Sequence, residues 1–260
     1  MRITDARTGL LTRIRPARTG LLYTRVQLTR TGAPFGTADL RALLVADVLF
    51  RLAEFNGLQV MACWADAGHA EDEVKALARD AERLGVHPPA AHVGDERDGP
   101  CDVHVVAHTA ATYRGPDGPE YPSGPDIPVA ACGPVTGAGG YLDTAGNDPL
   151  AMRLALLEHP YSEPVRLDRE VLAAAQDQLS RWRERVAAWA EMPSRPSHPD
   201  VVRNAFTAFS EGLDTWAALA ELRRLEGEPG VPDGSRFETF VYLDRILGLE
   251  LPRAIGRACP

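Results

Sequence analysis

Lysine is almost missing from this 260-residue chain: Lys75 is the only one, against 27 arginines. A skew of this kind reads first as mutational bias. It nonetheless excludes any chemistry that needs a lysine at another position. Cysteine is scarce too, at positions 63, 101, 132 and 259. No two have C-x-x-C spacing, which excludes a zinc ribbon and a thioredoxin-type motif. No charged-then-apolar leader opens the chain, and no apolar run reaches the length of a membrane span. The expectation is a cytoplasmic protein with reduced thiols and no membrane partner. Positive charge is short overall, and a net charge of −8 argues against a non-specific nucleic-acid binder. One local exception stands out. Arg2, Arg7, Arg13, Arg15, Arg18, Arg25 and Arg30 fall within 30 residues, opposed only by Asp5. They are expected to form the solvated surface of a hairpin.

With 45% hydrophobic and 25% charged residues, the chain can bury a substantial core. Residues 1–35 read as strands and turns, with a buried strand over Leu21 to Leu28. Leu40, Leu44, Val48, Leu52 and Phe55 recur at helical spacing after Thr37, a possible cap. Asn56-Gly57 stops that helix, and Leu58 to Trp64 reads as the next strand. Strand, helix and strand in this order predict a βαβ unit and a parallel sheet. A charged helix over 70–84 and a short strand over 102–107 follow.

Prolines at 116, 119, 122, 125, 128, 134 and 149, with many glycines, predict turns and loops over 110–150, mobile in part or forming a lid. From Asp168 onward the pattern is helical. Asp168 and Asp214 are expected caps, Pro199 a helix opener, and Ser235 to Glu238 a capping box before a helix ending at Gly248. The organisation predicted is an α/β domain over 1–160 and a helical domain over 161–260.

Several segments carry a resemblance in consistent order. They are Met1-Arg2-Ile3-Thr4-Asp5 with Thr8-Gly9, the run Arg41 to Arg51, Asn56 to Val60, and Glu82 to Pro89. Further on come Phe206 to Phe209, Leu213-Asp214-Thr215, Ala217 to Leu219, and Leu243 to Leu251. Together, over about 1–90 and 165–251, they resemble the cysteinyl-tRNA synthetases of class I. The resemblance implies a class I synthetase-like Rossmann parallel sheet followed by an α-helical bundle. Members that charge tRNA, and the related ligase of mycothiol synthesis, are much longer.

The functional motifs of that family depart here. Its first signature carries two histidines that contact ATP phosphates. The resemblance places Gly36-Thr37-Ala38-Asp39 there, just before Arg41. Asp39 would repel a triphosphate, although the helix start could still receive an anion. The second, lysine-dependent signature would fall at Asp143, Thr144, Gly146 and Asn147, where no lysine stands. The family's thiolate-binding zinc has its first ligand on the first strand, and the resemblance puts Gln27 there. Zinc is therefore not expected, ATP remains only what the resemblance implies, and tRNA is not expected without an anticodon-reading domain.

Other groups have a functional and a bland reading. His104 and His108, with Cys101, could bind a metal or be structural. The stretch 133–140, rich in glycine, could cradle a phosphate or lend flexibility. Asp66, His69, Glu71 and Asp72 could line a pocket at strand ends or serve a helix N-terminus. Trp182 and Trp189 read as core. The expected function is a truncated synthetase-like paralogue that has lost adenylate formation and binds a small molecule or partner. One alternative is a divergent ligase or transferase using Gly36, Thr37, Asp39, Arg41, Asp66, His69 and His104 as a pocket. Another is a structural subunit.

Overall fold

The structure is a computed structural model that describes residues 1–29, 34–66, 68–93, 99–109, 121, 127–138, 140–142 and 144–256. An antiparallel hairpin, β1 (Arg2–Thr4) and β2 (Leu11–Arg13), precedes β3 (Leu21–Gln27). Helix α1 (Thr37–Phe55) leads to β4 (Gln59–Ala65), and α2 (Glu71–Arg83) to β5 (Ala91–Val93). The chain then returns to β6 (Val103–Ala107) and β7 (Val129–Cys132). These last five strands form one sheet in the order β5-β4-β3-β6-β7, and every pair in it is parallel. The first strand of the unit thus lies in the middle, flanked on one side by the next two and on the other by the last two. That is a Rossmann-like α/β arrangement, and the order reverses between β3 and β6.

Two short strands, β8 (Val135–Gly137) and β9 (Val165–Leu167), pair in parallel around α3 (Pro149–Leu157). Helices α4 (Arg169–Trp189), α5 (Pro199–Ser210), α6 (Thr215–Gly227) and α7 (Asp233–Leu247) complete the chain, with a 3-10 turn at Leu251–Ala254. None of the described helices is long and apolar enough to cross a membrane.

Helix α1 is buried on nearly all sides, from Ala38 to Leu49 without a break. A helix apolar all round belongs in the middle of a protein. One side packs on the sheet. The other meets the helical half, where Phe55 lies 4.6 Å from Phe206 and 5.1 Å from Tyr242, ring centre to ring centre. Buried apolar side chains of both halves form one continuous cluster. Trp182 and Trp189 belong to it, both set edge-on to Phe240.

A buried ionic junction ties the halves together. On α1, Asp47 Oδ2 accepts from Arg153 Nη2 at 2.6 Å and from Arg51 Nε at 2.8 Å. Its Oδ1 meets His87 Nδ1 at 2.6 Å. Arg153, on α3 and fully buried, also donates to the carbonyls of Leu84 (3.0 Å) and Leu247 (2.6 Å). Burial alone would raise the Asp47 carboxyl. The neighbouring Arg153, helped by His87 and Arg51, holds it well below the usual carboxylate range. Nearby Asp244 receives the amides of Leu249 (2.7 Å) and Leu251 (2.9 Å), closing the end of α7, and its burial pushes its carboxyl upward. Gly248 sits beside this junction at φ +64°. An added Cβ would lie 2.8 Å from Arg153 Nη2 and 2.9 Å from Arg51 Cζ. Gly248→Ala should therefore lower stability by ~2–4 kcal/mol, combining left-handed strain with crowding of a buried cation. A denaturant titration checks this; a change below ~1 kcal/mol would contradict it.

Several expectations need correcting. Thr37 is not the cap of α1. Gly36 holds that position, and Asp39 supplies the carboxylate. Ser235 is not a cap either: α7 begins at Asp233 after Pro232, and Ser235 Oγ donates to the Pro196 carbonyl at 2.7 Å. The stretch 110–150 is not all loop, because it holds β7, β8 and the start of α3. Of this stretch, read as mobile in part or a lid, 110–120, 122–126, 139 and Asp143 lie outside the described residues, as does Arg30. Gly133 and Gly137 do not confer looseness. A Cβ on Gly133 would fall 2.3 Å from the Glu163 carbonyl oxygen, and one on Gly137 2.2 Å from that of Leu167. These glycines let two backbones touch. The caps Asp168 and Asp214 do accept the Val171 and Ala217 amides, at 3.0 and 2.9 Å.

Candidate functional site

In a sheet of this order a ligand is expected outside the strand ends where the order reverses. Here that means the ends of β3 and β6 and the N-terminus of α1. At the β3 end the Asp39 carboxylate bridges the strand end and the start of α1. Its Oδ1 accepts the Thr29 amide at 2.7 Å and its Oδ2 the Gly36 amide at 2.9 Å. Asp39 is buried, so this is a closed contact. The negative group that the helix start favours is already supplied by the chain.

The same corner holds His69. Its Nε2 meets the Thr29 carbonyl at 2.9 Å, its Nδ1 meets Glu73 Oε2 at 3.1 Å, and its ring lies 4.0 Å from that of Phe35. Asp66 carries the turn below it. The Asp66 carbonyl accepts the His69 amide at 3.2 Å, while its carboxylate lies 3.9 Å from His92 Nδ1. Glu71 and Asp72 are exposed in the first turn of α2, with Glu71 paired to Lys75 at 2.6 Å. The structure thus brings Gly36, Asp39, Asp66 and His69 together around Thr29. Thr29 was not singled out in the sequence, because only its backbone takes part.

The other candidates lie elsewhere. Arg41 turns inward and is buried, donating to the carbonyls of Gly133 (2.9 Å), Pro160 (2.7 Å) and Glu163 (2.5 Å). It clamps the two touching backbones together. Thr37 begins α1 beside Gly36. Thr144, Gly146 and Asn147 form a closed turn before α3. Thr144 donates to the Gly140 carbonyl (3.0 Å) and Asn147 to that of Tyr141 (2.9 Å), and Gly146 has φ +89°.

His104 faces the opposite side of the sheet from α1, level with Arg25 in the register of β3 and β6. It is buried, and its Nδ1 has no hydrogen-bond partner among the described residues. Burial, with Arg25 and Arg7 nearby, pushes the imidazole down to about 4. Cys101 is spent on the Val103 carbonyl at 3.3 Å, and burial pushes its thiol up to about 11. Among the described residues no three His, Cys, Asp or Glu side chains gather around a common point.

His104 gives a signed pH dependence. The unfolded imidazole binds a proton near pH 6.5, but the folded one resists it until about 4. Stability should fall as pH drops through that window and level off below it as far as His104 is concerned. His104→Gln should flatten the melting-temperature profile between pH 7 and 5. An unchanged slope would assign the loss to another group.

The groups that the resemblance implies do not fit these residues. For ATP, the Gly36 amide at the helix start is taken by the Asp39 carboxylate, and there is neither a histidine pair nor a lysine. For zinc, the strand position holds Gln27, whose neutral amide is a poor substitute for a thiolate.

No family model matches the chain. It is similar to curated proteins named L-cysteine:1D-myo-inositol 2-amino-2-deoxy-alpha-D-glucopyranoside ligase. With that of Streptomyces griseus it shares 34% identity over 110 residues, 41% of this chain and 26% of the relative. With that of Thermobifida fusca it shares 32% over 117 residues, 43% of this chain and 27% of the relative. The protein from Mycobacterium sp. strain KMS gives 34% over 117 residues, with the same shares. The matched part spans about a quarter of these relatives. The similarity is thus to ligases of cysteine, in line with a ligase-like chain built on a synthetase-like sheet.

Proposed function

We propose that this chain is a ligase-like scaffold that no longer forms an aminoacyl adenylate and acts as a small-molecule or partner-binding protein. One observation carries the reading. Where a synthetase-like site would hold ATP phosphate at the start of α1, the buried Asp39 carboxylate is bonded to the Gly36 and Thr29 amides. A triphosphate entering there would meet a fixed negative charge and find these donors taken. Partial similarity to cysteine ligases supports a common scaffold, and the absence of a lysine beyond position 75 supports the loss of phosphate chemistry. The direct test is ATP–pyrophosphate exchange with L-cysteine and with each other amino acid. No exchange above the enzyme-free control is expected. Exchange with any amino acid would overturn the proposal.

A further inference from the structure

Charge is divided unevenly along this chain: the first 30 residues carry +6 and the remaining 230 carry −14. Of the arginines behind that charge, Arg7 pairs with Asp5 and Arg25 is buried, while the β1–β2 hairpin sets Arg2 and Arg13 on its outer face. Register pairs Arg2 with Arg13 and Thr4 with Leu11, so these four side chains share a face, while Ile3 and Ile14 are buried on the other. Arg15 continues the outer alternation, and Arg18 is exposed close by in sequence. Arg2 reaches Glu211 at 3.7 Å, with both side chains about half exposed. Arg13, Arg15 and Arg18 form no salt bridge among the described residues. Arg18 lies instead over the Tyr23 ring. Two arginines opposite each other on paired strands repel, and among the described residues only Arg2 of the two meets a carboxylate, that of Glu211.

The same surface exposes apolar side chains. Leu10 at the turn is 68% exposed and Leu11 42%, the former the most exposed large apolar residue described. Leucines at the tip and arginines along the flank are the two parts of an interfacial anchor. The apolar tip enters the boundary between headgroup and acyl chain, while guanidinium groups pair with lipid phosphates. The hairpin has no aromatic residue from position 1 to 22, so it lacks the stacking platforms that favour single-stranded nucleic acid.

We propose that the β1–β2 hairpin is a peripheral docking surface for anionic lipid bilayers, held by Arg2, Arg13, Arg15 and Arg18 and seated by Leu10 and Leu11. Lipid phosphates then separate and neutralise the facing Arg2 and Arg13. This revises the expectation of no membrane partner, which rested on spanning segments alone.

The test is co-sedimentation of the full chain with vesicles of phosphatidylcholine alone or containing 30% phosphatidylserine, in about 0.1 M salt. Binding should require phosphatidylserine and weaken as salt rises. Arg13→Gln with Arg15→Gln should lower the partition coefficient about 25-fold, at roughly fivefold per arginine. Leu10→Ser should lower it several-fold with charge unchanged. All three positions are exposed, and circular dichroism checks that the variants remain folded. Absence of phosphatidylserine-dependent binding would overturn the proposal. So would binding unaffected by both sets of substitutions, or affinity for single-stranded RNA with none for vesicles. Salt-dependent self-association without vesicle binding would assign the face to a second copy of the chain and also overturn it.

Discussion

Arg153→Met should destabilise the protein by about 3–5 kcal/mol, read as a lower urea midpoint with an unchanged slope. The side chain is similar in length and apolar, so the loss is one of charge and donors, with little change in volume. Three acceptors depend on this guanidinium: the Asp47 carboxylate, the Leu84 carbonyl and the Leu247 carbonyl. All lie where water cannot readily replace the lost donor, and a buried acceptor left without one costs ~1–3 kcal/mol. Arg51 and His87 would still hold Asp47, which keeps the cost below that of a wholly isolated buried carboxylate. Combining Arg153→Met with Asp47→Asn should recover part of the loss, because the two changes act on one contact. A loss below ~1 kcal/mol for the single variant would show that the junction is solvated. The junction also makes the wild type acid-sensitive. Asp47 binds its proton less readily folded than unfolded, so its contribution is complete above pH ~4 and fades as pH falls further.

Gly133→Ala should cost ~3 kcal/mol or more, although it adds only one methyl group. The new Cβ would lie 2.3 Å from the Glu163 carbonyl oxygen, 2.4 Å from its carbon and 2.8 Å from the Pro164 nitrogen. All three are backbone atoms, so no side chain can swing aside. The segment is pinned on both sides. The Gly133 amide donates to the Tyr161 carbonyl at 2.8 Å, and Arg41 grips the Gly133 and Glu163 carbonyls. Separating the backbones would pull on that clamp and on the β8–β9 pair beyond it. A thermal melt reads the result; a fall of less than 2 °C would mean that the two segments part easily.

The chain displays its large elements plainly and its clamps poorly. Helix α1 and its two flanking strands follow from apolar spacing and from Asn56-Gly57, whose left-handed glycine does end the helix. Asp168 and Asp214 cap as their positions promise, because a cap is a local interaction. Strand β7 was hidden because Val-Ala-Ala-Cys is too short to show a period, and burial on both faces removes alternation. Helix α3 was hidden beside a proline-rich run, although Arg153 alone within the apolar stretch Leu150 to Leu157 was a signal that it needed a buried partner. The corner around Thr29 depends on residues 40 positions apart joined through a backbone carbonyl, which no spacing rule reveals. Arg41 looked like a ligand-binding cation because its neighbours in sequence suggested a signature. Its carbonyl partners lie 92 to 122 residues away.

Asp39 also has a consequence for any anion that approaches the start of α1. Its carboxylate, on the first turn of α1, behaves as a tethered competitor for the Gly36 and Thr29 amides. Its local concentration there is millimolar or higher, by virtue of the tether alone. A diffusing nucleotide would have to outcompete a ligand that never departs. One carboxylate placed in this way can therefore close an anion site from within, without disturbing the scaffold around it.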